Sequence, residues 1–323
     1  MRKWIYFLLL LVVFLGFYSC STPTSPLDKR PKDKIHVLST TSIIDNIVAK
    51  IGKDRIFREV LIAQDLDPHS YELVKGDDEK FFNACIIFAN GLGLEHGASL
   101  RYQLEHHHNV LFLGEEIRSL APNSILDVDG QVDPHIWMDV GLWKKAVMPI
   151  ANALSKMDPE GEKLYLQNAL ELEEQMEVLD REIKTIVQAV SPEKRYIVST
   201  HDAFQYFAKT YLSIDEEKET LGWKNRFASP EGIAPEGQLS AIDIRTIVEY
   251  LQRHQVRVLF PESNVNQDSL IKIKSVCEEM GMLVRISPSF LYSDSLGGIK
   301  SPASDYFSMM RYNAEVLCRE LPK

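Results

Sequence analysis

The chain has 323 residues, 45% hydrophobic and 25% charged, an ordinary globular composition with room for two α/β lobes. Its formal charge of −10 argues against a nucleic-acid partner and favours the accumulation of cations around the molecule.

Arg2 and Lys3 precede an apolar run from Trp4 to Phe17 that closes on Tyr18-Ser19-Cys20. A basic start, an apolar stretch, a small residue and then a cysteine make residues 1–19 an export signal. The run, about 15 residues, is short for a membrane span, which needs ~20. Its removal leaves a formal charge of about −12. Ser21 to Lys34 carries three prolines and no apolar periodicity, so residues 20–33 read as a tether. Cys85, Cys277 and Cys318 are an odd set, expected to be mostly buried thiols, with Cys277 to Cys318 as the minor alternative of a bridge.

Residues 34–157 read as a first lobe. Ile35 to Ser39 has the length of a buried strand, and Ile43, Ile44, Ile47, Val48 and Ile51 follow at helical spacing. Arg55 to Ile62 and Cys85 to Phe88 are further strands. Asp67-Pro68-His69 falls in a turn between these two, after Arg55 to Ile62, and Asp133-Pro134-His135 repeats the tripeptide after the apolar segment Val110 to Leu113. Each histidine is followed two residues later by an aromatic, Tyr71 or Trp137. One such tripeptide is a coincidence and its histidine most simply a satisfied core imidazole; two look like two walls of one site. Proline stiffens the loop, and the carboxylates of Asp67 and Asp133 are placed to accept a hydrogen bond from the second ring nitrogen of a ligating histidine. Asn90-Gly91-Leu92-Gly93 lacks the lysine and spacing of a phosphate loop and reads as a strand-to-helix turn. His106, His107 and His108 end a helix; neighbours one and two positions apart point different ways, so they read as an exposed terminus rather than one metal site. Trp143, Ala146, Val147, Ile150 and Leu154 form an amphipathic helix.

Residues 158–191 are expected to form a single helix. Tyr165, Ala169, Leu172, Met176, Leu179, Ile183, Ile186 and Val190 recur every three or four residues. Asp158 is placed to cap it, Pro159 suits its first position, and Ser191-Pro192 stops it. From Pro159 to Val190 it would be about 32 residues and roughly 48 Å long, enough to span two lobes. The alternative is a coiled coil, since the seam also fits heptads.

Residues 192–323 read as a second lobe of alternating strands and helices. Arg195 to Ser199 is a strand that delivers His201 at its carboxyl end, and Ala203 to Leu212 is a helix with Phe204 and Phe207 inward. Ser213 to Gly237 reads as a surface loop. Ile244 to Leu251 and Leu270 to Met280 are helices, and Val256 to Phe260 and Leu283 to Ile286 are strands. Glu262 and Asp294 both lie beyond strand ends, Asp294 beside glycines that permit tight turns and Glu262 as an orienting partner.

With His69, His135, His201 and Asp294 in this order, the chain resembles the TroA-like metal-binding receptor lipoproteins of bacterial ABC importers. The likeness runs over the whole mature chain, through the doubled Asp-Pro-His, the interlobe helix and Leu-Tyr-Ser-Asp-Ser-Leu-Gly near the end. The stretches GLGLEHGASL, SPEGIAPEGQLS and FPESNVNQDSL resemble its chlamydial-type branch. The resemblance implies two parallel-sheet α/β lobes joined by one rigid helix, His69, His135, His201 and Asp294 as metal ligands, and a lipid on Cys20. It also implies one divalent transition metal ion (Zn2+, Mn2+ or Fe2+) as transported cargo, and a permease and its ATPase as partners of a monomeric, membrane-anchored receptor outside the cytoplasm. The departures from the pattern are Phe17 and Tyr18, where a lipobox usually has Leu and a small residue. Three imidazoles and a carboxylate suit zinc and tolerate manganese or iron(II). The competing readings are a metallohydrolase, which keeps an open coordination position that four protein ligands would close, and a surface adhesin, for which no separate module is evident. Neither HExxH nor GxSxG occurs.

Overall fold

Four parallel strands open the fold in the order β2-β1-β3-β4: β1 (Ile35–Ser39), β2 (Ile56–Val60), β3 (Ile86–Ala89) and β4 (Val110–Phe112). The computed structural model describes residues 33–322, apart from 65, 129 and 236–238. The export signal and Cys20 therefore lie outside the described residues. Among those described, no helix is long and apolar enough to cross a membrane.

A parallel sheet needs cover on both faces, which is why the central strand β3 is a continuous buried apolar run, whereas the edge strand β2 carries Arg58 and Glu59. Successive side chains divide between the faces: Val37 and Phe88 enter the main core, and Leu38 and Ile87 a second cluster with Leu61, Phe81 and Leu100. The crossover from β1 is the helix Ser42–Gly52, started by Thr41, whose hydroxyl accepts the Ile44 N–H. The turn after β3 is closed by buried Glu95, whose carboxylate accepts the N–H groups of Asn90 and Gly91. Gly91 sits at φ +72°, a conformation that suits glycine. A small antiparallel hairpin, β5 (Asp127–Val128) and β6 (Gln131–Val132), then leads to His135.

The long helix is present, and it differs in detail from the expectation. Residues Pro159–Gly161 form a 3-10 turn, and the α-helix runs Glu162–Gln188, 27 residues, so it is about 40 Å long rather than 48. Its buried seam is Tyr165, Ala169, Leu172, Met176, Leu179, Ile183 and Val187; Val187 takes the place expected for Ile186, which is only half-buried. Asp158 does not cap the helix. Its carboxylate is taken by the Arg55 guanidinium and by the Tyr165 hydroxyl at 2.6 Å, and charge-assisted bonds outcompete a cap. The seam packs into the fold's largest core alongside Ile47, Ile150, Phe207 and Met310, so it is no coiled coil. Near its start Asn168 donates to the Ile51 carbonyl at 2.8 Å, and near its end Glu182 accepts from Arg311 at 2.8 Å. The two ends of the chain thus grip different stretches of one helix.

The later strands are short: β7 (Ile197–Val198), β8 (Phe227–Ala228), β9 (Val258–Leu259) and β10 (Arg285–Ile286). They form two parallel pairs, β7 with β8 and β9 with β10, linked by a parallel bridge between Ser199 and Phe260. Ala241–Arg253 and Asp268–Glu279 cover them as expected. Three expectations need correction. Ser213 to Gly237 is no plain loop, since it holds the helix Asp215–Thr220, a 3-10 turn Gly222–Arg226 and β8, anchored by Arg226 on Glu217 at 2.7 Å. Cys85 is exposed, and all three described cysteines are free, so Cys277 and Cys318 form no bridge. A terminal helix, Tyr306–Glu320, was not anticipated; Asp305 caps it and its Met309, Met310 and Leu317 enter the main core.

Candidate metal centre

His69, His135, His201 and Asp294 come together, each essentially excluded from solvent, with one ligand atom from each lying within 4.8 Å of all the others. Three of the four arrive on stretches that follow parallel pairing, the usual position for ligand-binding side chains in open α/β sheets, whereas His135 follows the antiparallel hairpin. His69 follows β2, His201 follows β7, and Asp294 follows the bridge between Glu262 and Leu291.

Three of the distances between the ligand side chains are those of atoms that share one ion. His69 Nε2 and His135 Nε2 are 3.2 Å apart, His135 Nε2 and Asp294 Oδ1 3.5 Å, and His201 Nε2 and Asp294 Oδ2 3.3 Å. A tetrahedral ion with bonds of about 2.0–2.1 Å would set its ligand atoms ~3.3 Å apart.

The orientation of the rings carries more weight than the distances. Asp133 Oδ1 accepts from His135 Nδ1 at 2.7 Å and from the His135 backbone N–H at 2.9 Å. With the proton on Nδ1, the His135 Nε2 lone pair faces the centre. Glu262 takes the corresponding place beside His201 as a buried ion-pair partner, with Oε2 2.7 Å from Nδ1 while Oε1 accepts the N–H groups of Thr200 and His201, both at 2.9 Å. The Asp294 carboxylate faces the same point, steadied by the Asn264 amide, which donates to Oδ2 at 3.1 Å. Lone pairs and a carboxylate converging in a dry site repel one another unless a proton or cation lies between them.

The electrostatics follow. Burial, first, and the neighbouring imidazoles push the His69 pKa well below its ordinary value, against the pull of Asp294. Burial opposes charge on His201 as well, but Glu262 and Asp294 outweigh it and raise its pKa well above normal. Asp294 is held far below the usual carboxylate range: burial acts to raise it, and His201, His135 and His69 prevail. Beside the cluster, burial and then Asp133 raise Asp202 to about 7.

The two Asp-Pro-His loops are not equivalent. Asp67 accepts the His69 backbone N–H at 2.9 Å and the Ser70 hydroxyl at 2.6 Å, so it shapes its turn rather than orienting the ring as expected. Asp133 performs both tasks. Tyr71 binds Asp77 at 2.7 Å, away from the cluster, whereas Trp137 packs edge-on against the His135 ring at 5.3 Å. His106 stacks on Tyr102, and His107 on His108, outside the cluster. Sequence reasoning missed Asn264 and also Asn90, which donates to the Pro134 carbonyl at 3.0 Å and so holds the second loop; nothing in a lone asparagine marks it.

The family model for ZnuA, the periplasmic zinc-uptake complex component A, matches residues 37–319. The metal-binding protein YtgA of Chlamydia muridarum is 40% identical over 303 residues, 94% of this chain and 90% of the relative. The manganese-binding lipoprotein MntA of Bacillus subtilis is 27% identical over 318 residues, 96% of this chain and 97% of the relative. Among solved structures, Fe(III)-bound YtgA from Chlamydia trachomatis is similar with a TM-score of 0.84 and 39% identity, covering 89% of this chain and 98% of the other. The periplasmic zinc-binding protein TroA of Treponema pallidum follows the same fold at a TM-score of 0.80 and 25% identity, over 90% of this chain and 100% of the other.

Proposed function

The chain belongs to the ZnuA family of metal-uptake receptors, and we propose that His69, His135, His201 and Asp294 are the four ligands with which it holds its cargo, one transition metal ion. Proteins of this kind are the substrate-binding components of ABC metal importers rather than enzymes, and they serve a membrane permease and its ATPase. The observation that carries the assignment of the ligands is the convergence of three imidazoles and a carboxylate on one buried point, their ligand atoms all within 4.8 Å of one another.

Three imidazoles and one carboxylate suit a borderline divalent ion, and by intrinsic affinity zinc outcompetes manganese and iron(II). Relatives are named for iron, zinc and manganese, so selection among them rests on geometry and availability. Four protein ligands leave no open position for a metal-bound water, which favours a receptor over a metallohydrolase.

The molecule works as two lobes, residues 34–157 and 192–323, on the stiff helix between them. Each lobe supplies two ligands, and the helix limits opening to a small rotation or a loop movement. The mature chain begins at Cys20, whose lipid holds the monomeric receptor at the membrane outside the cytoplasm.

The test is native mass spectrometry with elemental analysis on chain lacking residues 1–19, stripped and offered zinc, manganese and iron(II) singly and in competition. One ion per chain, lost in His69→Ala and Asp294→Ala, is the expected result. No stoichiometric ion under any condition would remove the assignment.

A further inference from the structure

Asp294 lies on a segment whose backbone is gripped from the opposite end of the chain. Just before it, the Ser293 carbonyl accepts a buried hydrogen bond from the Trp137 indole N–H at 2.7 Å. Just after it, the Leu296 N–H donates to Ser42 Oγ at 3.0 Å, and the Gly297 carbonyl accepts from the Gln64 side-chain amide at 3.3 Å. All three gripping residues precede the long helix in sequence, whereas Asn264, which orients the Asp294 carboxylate, follows it. Trp137 is itself fixed, because its own carbonyl accepts the Tyr306 hydroxyl at 2.7 Å and its ring stands against that of His135.

We propose that Trp137, Ser42 and Gln64 form a latch on residues 293–297 that positions Asp294 and sets how long a bound ion stays. The inference rests on the reading of Asp294 as a ligand. With the latch closed, the carboxylate is held at the three imidazoles and supplies the only negative ligand. With the latch released, the remaining hydrogen bonds of the segment and its flanks, through Asn264, Asn313, Ala303 and the Leu291 bridge, all run to its own half, and it moves away with that half and carries the carboxylate along. The ion is then left on neutral ligands in a dry site, where a cation is poorly stabilised. The latch bonds are all uncharged, so each is weak enough to be exchanged when a partner protein pulls on the segment.

The experiment loads the parent chain and its variants with one equivalent of zinc(II) and follows release into excess chelator, alongside the association rate and the metal-free melting temperature. Trp137→Phe keeps the aromatic packing and removes the donor; Ser42→Ala removes the acceptor of Leu296. Each is expected to speed release about tenfold with association changed less than twofold. Tyr211→Phe serves as the control for general loosening, since its hydroxyl joins Asp180 and the Val140 N–H rather than the segment. It is expected to lower the melting temperature and leave release at the parental rate. Should Trp137→Phe fail to fold, Ser42→Ala decides alone. Parental release rates in the latch variants, or equal acceleration in Tyr211→Phe, overturn the latch. A parent that takes up no stoichiometric zinc overturns the ligand assignment and the latch with it, so the two failures are distinguishable.

Discussion

Glu262→Gln separates the ligands from what orients them. Glu262 is fully buried; one oxygen accepts the Thr200 and His201 N–H groups and the other faces His201 Nδ1 at 2.7 Å. Glutamine keeps an oxygen for the two backbone donors but turns an NH2 group toward Nδ1. The imidazole can meet that donor only by accepting at Nδ1, which moves its proton to Nε2, the atom that must be bare to bind metal. Loss of such an orienting partner typically weakens metal binding 10- to 100-fold, or about 1.4–2.8 kcal/mol. Glu262→Ala adds a second penalty, because two buried N–H groups lose their acceptor at about 1–3 kcal/mol each. Zinc competition against a chromophoric chelator, with thermal unfolding of the metal-free proteins, should therefore show weak binding with a near-parental melting temperature for Gln, and weak binding with a clear loss of stability for Ala. If the Gln variant binds zinc within twofold of the parent, the tautomer argument is wrong.

Metal binding should weaken on acidification: ligating imidazoles must be bare at Nε2, and Glu262 and Asp294 hold a proton on metal-free His201 that the ion displaces. Titrations in buffers of different ionisation enthalpy should register that proton release, and an affinity indifferent to pH between about 8 and 5.5 would refute it. Hydrogen bonding to Arg55 holds the Asp158 pKa below its ordinary value, so the pair stabilises the fold above the unfolded carboxylate range near ~3.9 and that contribution is lost as pH falls through the folded value. The stability gap between the parent and Asp158→Asn should accordingly close in acid, as read by denaturant melts from pH 7 to 3. Leu179→Ala, in the fully buried seam, should cost about 2–5 kcal/mol in urea unfolding, whereas a cost under ~1 kcal/mol would mean that the helix does not organise the core. Replacing His106, His107 and His108 together by Ala should leave zinc stoichiometry and affinity unchanged, since they lie outside the cluster; a lost ion would contradict this.

Much of the molecule is written in local pattern. The most buried parallel strands, such as β3, are short apolar runs, the long helix carries a seam every three or four residues, and the doubled Asp-Pro-His marks two of the four cluster members before any fold is known. Glu262 and Asp294 were legible as carboxylates beyond strand ends, because parallel topology brings those ends to one side. Other features depend on partners distant in sequence. Asp158 has the sequence of a cap and becomes an ion-pair partner because Arg55, far away in the chain, reaches it. Two identical tripeptides part company because only Asp133 meets its ring nitrogen. Ser42, Gln64 and Asn264 carry no local signal, and Trp137 is marked only as the aromatic after its Asp-Pro-His; Ser42, Gln64 and Trp137 owe their roles to backbone groups of residues 293–297, and Asn264 to the Asp294 carboxylate. Periodicity reports which face of an element is buried, but a hydrogen bond between residues 42 and 296 exists only once the long helix has set the two halves of the fold together.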